Sequence, residues 1–379
     1  MRILYTVLKY DYGKPEQGYS YEHNNFFDAL HRMGHDLIYF DFGTLLRARG
    51  RTAMNKRLLE VARAEQPDLL FSALFQDEIE PRTMRDISEL TDITTLNWFA
   101  DDHWRFDNFS SRWAPCFNWV VTTANSALEK YRSIGFDRVI KSQWACNHFQ
   151  YRRMDLPKKY DVTFVGLPHG DRRAVVRALR RAGIDVKVWG GGWASGRVSQ
   201  ADMIQIFNQS RINLNLSNSS LPATQTARVV AAFNRVLERS PLPGGPRDAV
   251  AGELVALAAR TSRPTTPTPA QIKGRNFEVP GCGGFLLTDE AENLSDYYVP
   301  DKEVVTFANT ESLVDRIRYF LSHEQERASI AAAAYQRTVG EHTYVHRFAE
   351  IFKHVGFQIP PLADLVAERV PRGHVEEVQ

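Results

Sequence analysis

Short apolar runs alternate with amphipathic stretches along most of the chain. Residues 2–8 form a β-branched and aromatic run, a polar loop follows, and 21–33 place Phe26, Phe27, Leu30 and Met33 on one helical face. Gly34 ends that helix, 37–40 read as the next strand, a helix over 53–65 follows, and 68–72 form another strand. The same rhythm continues through strands at 94–99, 119–122 and 139–142. Strands separated by helices predict an α/β fold with a parallel sheet wrapped by helices. Residues 151–159 are charged, contain Pro157 and lack an apolar period, so they read as a linker.

A second alternation starts beyond it. Strands are expected at 161–166, 185–189 and 211–217, the last with one polar-lined side, and helices at 172–182 and 200–208. The rhythm then breaks over 221–269, which holds two helical pieces, a turn cluster at 241–246 and a Pro/Thr-rich end, and reads as an insertion. A strand at 304–307 and helices at 313–322, 324–339 and 343–355 follow, and the residues from 358 onward are expected to fray.

The chain of 379 residues is longer than one core usually serves, so two domains are expected. Apolar residues at 43% and charged residues at 24% describe a soluble globular protein, and a net charge of +2 argues against wholesale nucleic-acid binding. Cys116, Cys146 and Cys282 lie far apart without zinc-type spacing, which suits a reducing cytoplasm. No run has the roughly 18 apolar residues of a membrane span, and the first residues do not read as a signal peptide.

Ligands of open α/β sheets bind at the carboxyl ends of the strands. After the first strand, a loop from Lys9 onward carries Gly13 and Gly18, which could approach a phosphate or an acceptor. After the 94–99 strand, Asp101, Asp102 and His103 sit between two tryptophans, where they either cap the next helix or carry chemistry. In the second half Gly166 ends a strand and is followed by His169, Arg172 and Arg173, and a tight loop contains Gly191 and Trp193. An arginine at such a cleft could pair with a diphosphate, whereas Arg177, Arg180 and Arg181 read as a solvated face.

The stretch 273–288 joins a polar helix, a glycine turn and an apolar strand. Residues 275–279 fit the last turns of a helix that Pro280 and Gly281 stop, and Glu278 lies between Phe277 and Val279, where an ionised group needs a partner. Gly283 and Gly284 let a backbone pass close by, and 285–287 read as a buried strand. Arg275, Glu278, Gly283, Gly284 and the following Phe-Leu-Leu-Thr resemble the nucleotide-sugar motif of GT-B glycosyltransferases, in particular the CgeB-like (spore maturation protein) branch of the glycosyl-transferase-1 group.

The resemblance implies two Rossmann-like domains facing across a cleft: an acceptor domain over 1–150 and a nucleotide-sugar domain over 151–355 with the 221–269 insertion, then a tail over 356–379. It implies sugar transfer from a nucleoside diphosphate sugar, a UDP-sugar as first choice, to an acceptor hydroxyl, with retention and without cofactor or metal. The acceptor is left open among saccharides, small molecules, proteins and nucleic acids. Glu278 would hold the donor ribose and the glycines would face the diphosphate. Arg172, with Lys273 or Arg275, would stabilise the leaving group, and Asp102 or His103 would face the acceptor. Where many retaining relatives carry a further glutamate eight positions earlier, this chain has Ala270, so a sugar-contacting acid is not carried over. A nucleotide-sugar sensor without turnover and an epimerase of the same architecture remain the alternatives.

Overall fold

The computed structural model describes residues 1–217, 270–367 and 373–378. The expected insertion at 221–269 falls outside them. Two parallel sheets carry the chain. The first consists of β1 (Arg2–Thr6), β2 (Asp36–Tyr39), β3 (Leu69–Ser72), β4 (Thr94–Phe99), β5 (Trp119–Thr122), β6 (Val139–Lys141) and, from the chain's far end, β12 (Val375–Glu377). Its order is β12-β2-β1-β3-β4-β5-β6. The second, β7 (Tyr160–Val165), β8 (Val186–Trp189), β9 (Ser210–Asn215), β10 (Leu286–Asp289) and β11 (Val305–Phe307), has the order β11-β10-β9-β7-β8.

Successive residues of the first sheet bury opposite faces. Leu4, Ile38, Leu70 and Val120 join one apolar core, while Tyr5, Leu37, Phe71 and Leu96 join the other. A parallel sheet covered by helices on both sides demands this, which is why its strands read as near-continuous apolar runs. In β9 the alternation is apolar against amide. Ile212 and Leu214 enter a core, and Asn213 and Asn215 are buried on the other side, where Asn215 Nδ2 donates to Asn276 Oδ1 at 2.8 Å. The polar-lined face expected from the sequence thus seats the helix that starts at Arg275.

Six helices bear on the argument: α1 (Arg172–Arg181), α2 (Gln200–Gln209), α3 (Arg275–Gly281), α4 (Thr310–Ser322), α5 (Glu324–Glu341) and α6 (Tyr344–Val355). Two readings are corrected. Residues 275–279 open α3 rather than close a helix, and α3 runs through Pro280 to Gly281. The helix expected at 21–33 contains a π-helical turn over His23–Phe27 before an α-helical segment at Asp28–Arg32. Helix α6, expected over 343–355 as the helix that returns toward the first domain, places Tyr344, Phe348 and Phe352 in that domain's core beside Phe26 and Phe71.

The chain's end was expected to fray, yet β12 pairs in parallel with β2, Val375 beside Leu37 and Glu377 beside Tyr39. An open sheet edge offers unpaired backbone groups, and the pairing is fixed by side chains as well. Lys9 Nζ meets Glu377 Oε1 at 2.6 Å, and His31 Nε2 contacts the Gly373 carbonyl at 2.9 Å. The first domain therefore consists of residues from both ends of the chain.

Candidate active site

A cavity of about 520 Å³ lies between the two domains. The first domain contributes Tyr12, Gly18, Tyr19 and Tyr21 from the segment after β1, and the second contributes the backbone at the ends of β7 and β8, with Arg197 and Arg275. The close approach of those two strand ends explains the glycines. Gly190 has φ +140°, and a Cβ there would stand 2.3 Å from the Gly166 carbonyl oxygen. Gly166 N donates to the Trp189 carbonyl at 2.8 Å, so the two turns form one floor. Trp193 braces it from behind, its Nε1 donating to the Gly166 carbonyl at 2.8 Å.

Contacts between the domains run along the cavity. Arg197 pairs with Asp11 and donates to the Gln17 carbonyl at 3.2 Å. Tyr21 fills the space in front of Gly274, where a Cβ would lie 2.4 Å from its hydroxyl, and that hydroxyl shares a 2.9 Å hydrogen bond with Tyr344. Lys273 Nζ stands 3.5 Å from Asp101 Oδ1. Burial works to raise the Asp101 pKa, but Lys273, with His103 and Arg105, outweighs it and holds the carboxyl below its ordinary value.

Of the residues singled out from the sequence, Gly18, Gly166, Gly191 and Arg275 line this cavity, and Asp101 lines a smaller one beside it. Glu278 does not reach the surface. Its side chain is 0% exposed, accepts from Tyr151 Oη at 2.7 Å and pairs with Arg275, three residues earlier on the first turn of α3. Both of those partners line the cavity, so Glu278 stands one layer behind the wall and fixes what a ligand would meet. Burial works to lower the Arg275 pKa, yet Glu278 and Tyr151 raise it, so the guanidinium stays charged. The direct ribose contact expected of Glu278 is corrected accordingly.

Arg172 is also turned away from the expected role. Nε donates to the Leu216 carbonyl at 2.7 Å and Nη1 to the Leu167 carbonyl at 2.8 Å. Its pKa falls to about 10, chiefly through burial. Arg173 lies 5.1 Å over the Trp193 ring and donates to the Gly192 carbonyl at 2.6 Å, and His169 stays exposed on the intervening loop. Asp102 is 1% exposed and faces the core, where Tyr131 Oη donates to it at 2.8 Å; burial raises its pKa. Neither aspartate caps the helix that follows with its side chain: Asp102 turns inward to Tyr131, and Asp101 turns outward to Lys273. His103 is held neutral, its pKa lowered to about 4 first by burial.

Three glycines serve packing. Gly13, at φ +69°, gives its carbonyl to Arg47 inside the first domain. Gly283, at φ +68°, lies against Arg153, and a Cβ on Gly284 would come within 2.9 Å of Asn213 Nδ2. Gly284 seats α3 on β9, and neither of these two glycines lines the cavity. Sequence reasoning missed Tyr12, Tyr21, Tyr151 and Arg197. A tyrosine-rich segment after the first strand was the one local signal; the rest converge from distant positions.

Residues 172–235 and 247–353 match the model of the Glycosyl transferase-like family. The spore protein CgeB of Bacillus subtilis (strain 168) is 20% identical over 283 residues, covering 74% of this chain and 80% of that protein. The chain has the fold of the GT-B glycosyltransferases. Among solved structures, HepE of Anabaena in complex with UDP-glucose superposes with a TM-score of 0.61 at 11% identity, over 94% of this chain and 99% of that one. A glycosyltransferase from Rickettsia africae gives 0.58 at 10% identity over the same shares. Both superpositions extend over the two sheets, so the likeness is one of whole-chain fold. The family match begins at Arg172 and includes α3, β10 and most of α6. No helix among the described residues is long and apolar enough to cross a membrane.

Proposed function

We propose that this GT-B protein binds a nucleoside diphosphate sugar, a UDP-sugar first, in the interdomain cavity and transfers the sugar with retention to an acceptor hydroxyl. The observation that carries the reading is the cavity itself, walled by glycine backbone at the ends of β7 and β8 and flanked by Arg197 and Arg275. Strand ends with bare backbone accept a diphosphate closely, and charged guanidiniums stabilise negative charge as it grows on the leaving group. HepE, the structural relative crystallised with UDP-glucose, supports the choice of donor.

In the transfer the acceptor oxygen bonds to the anomeric carbon, the bond from that carbon to the diphosphate oxygen breaks, and the acceptor proton leaves with the diphosphate. Arg275, anchored by buried Glu278, and Arg197 would hold the diphosphate without a metal ion. Tyr21 and Gly274 close the two domains around the reacting atoms and exclude water. Three free, buried cysteines suit reaction in the cytoplasm. Calorimetric titration with UDP, GDP and TDP, followed by incubation with the corresponding sugar donors, tests the proposal. Binding of UDP and slow release of free sugar from a UDP-sugar are expected; no binding of any of the nucleotides would overturn it. The anomeric signal of the product by NMR decides retention.

A further inference from the structure

A second cavity, of about 200 Å³, lies at the ends of β1, β3 and β4. In the first sheet β1 is flanked by β2 on one side and β3 on the other, so strand order turns at this point, and open α/β sheets bind ligands at such turns. Glu22 lines this cavity, while its neighbour Tyr21 lines the interdomain one. The two cavities therefore share a wall.

Beneath the smaller cavity, buried polar atoms collect without partners. The strand register sets Thr6 beside Ser72 and Ser72 beside Asn97. Oγ1 of Thr6, Oγ of Ser72 and Nδ2 of Asn97 have no hydrogen-bond partner among the described residues. The same holds for Nε1 of Trp98 and of Trp144, both in the cavity wall, and Trp98 is only 2% exposed. Buried polar groups are nearly always satisfied, so the two orphan indole N–H groups in the wall, with three more orphans on the adjoining strands, call for a polar ligand. The π-helical turn His23–Phe27 begins directly after Glu22, and a second, Phe106–Ser110, contributes Phe109 and Ser110 to the lining. Such turns recur at functional sites.

The chemistry of the wall selects the ligand. Glu22 and Asp101 repel a phosphate, and Arg105 is already engaged, donating to the Phe75 carbonyl at 2.8 Å and lying 4.0 Å over the Phe109 ring. What remains is the Glu22 carboxylate, which accepts, with Asp101 beside it held by Lys273, two indoles that donate, and aromatic surface. An uncharged, hydroxylated ring answers all three, and the cavity is smaller than the roughly 300 Å³ at which pockets for larger ligands begin.

We propose that this cavity holds the terminal sugar ring of the acceptor, with Glu22 accepting a hydrogen bond from the hydroxyl that becomes glycosylated. The inference rests on the transferase reading above. It gives the acceptor a class, a saccharide, and gives Glu22 a role as an acceptor-binding residue. Burial, with Asp11 and Asp101 adding to it, pushes the Glu22 carboxyl up to about 7, as fits a carboxylate short of a donor.

Saturation-transfer NMR with methyl glycosides of glucose, galactose, mannose and N-acetylglucosamine, at saturating UDP, tests it. At least one glycoside should bind. Glu22→Gln should weaken that binding at least tenfold, and Trp144→Phe, which keeps a ring but deletes the indole N–H, should weaken it several-fold. UDP affinity should stay unchanged in both. No glycoside binding, or binding indifferent to both substitutions while UDP binds normally, overturns the inference and leaves the donor reading standing. If UDP itself does not bind, the donor reading fails, and the same glycoside titrations without UDP decide the pocket. Should Glu22→Gln fail to fold, Trp144→Phe carries the decision.

Discussion

Lys273 of the second domain meets Asp101 of the first at 3.5 Å, beside the cavity that the two domains enclose. The pair therefore reports on closure more than on stability. Partly exposed ion pairs contribute about 0–1 kcal/mol, so Lys273→Met should leave the melting temperature within about 2 °C of wild type. The unliganded variant should show a larger radius of gyration by small-angle scattering and a lower kcat. An unchanged radius would show that Tyr21 against Gly274 holds the domains closed by itself.

Glu278→Gln should act on the fold and the ligand together. Removing one partner of a buried ion pair costs about 3–5 kcal/mol, because the other charge is left uncompensated. Thermal unfolding should begin several degrees lower, and UDP affinity should fall because Arg275 and Tyr151 lose their common anchor. A double-mutant cycle with Arg275→Met should show strong coupling in melting temperature. Additive effects would break the link between the two residues.

Arg172→Ala should destabilise without slowing transfer much. The guanidinium donates to two backbone carbonyls, and hydrogen bonds from charged groups contribute about 1.5–3 kcal/mol each. Denaturant titration should show the loss, with kcat within a few-fold of wild type. A drop of a hundredfold or more in kcat at unchanged stability would return Arg172 to the leaving group.

Gly190→Ala should abolish UDP binding. Its Cβ would collide with backbone, the Gly166 carbonyl 2.3 Å away, and φ of +140° is foreign to L side chains, so the floor of the cavity must shift. Gly196→Ala is a fair control for conformation, since it also has positive φ but meets nothing within 4 Å. Equal UDP affinity in both variants would show that the floor is not part of the site.

Glu22 predicts a pH dependence of stability. Its folded pKa of about 7 lies above the ordinary 4.5, so its contribution to stability is fully present below 4.5 and is lost as pH rises through about 7. Glu22→Gln stays neutral throughout. Its melting temperature should therefore match wild type near pH 4 and exceed it at pH 8 by several degrees, since a shift of that size corresponds to about 3 kcal/mol. A constant difference across that range would mean that Glu22 is already ionised at pH 5.

The strands were legible because both faces of each sheet are covered, which turns β1, β3 and β7 into apolar runs with few interruptions. The need of Glu278 for a partner was legible too, since a carboxylate between Phe277 and Val279 has nowhere polar to go. That Arg275 and Tyr151 would consume it was not, because Tyr151 arrives from the linker. Asp101 and Asp102 differ by one step along the chain and by an inside-outside reversal, which composition cannot resolve. The apolar face of α6 announces burial without saying which sheet it covers. Residues such as Arg197 and Tyr12 become neighbours through the packing of two domains, so no local pattern marks them.

The crossing of α6 and β12 back to the first sheet affects the order in which the protein is built. The residues before the linker cannot complete their core when they leave the ribosome, because Phe348, Phe352 and the strand beside β2 are still to be synthesised. The second domain, contiguous between β7 and α5, is free to fold before that core closes. Such long-range closure is slow and keeps apolar surface exposed meanwhile. Nascent chains stalled before residue 344 should thus hold a protected second sheet and an exposed, chaperone-binding first one, the reverse of the usual order in which the amino-terminal domain matures first.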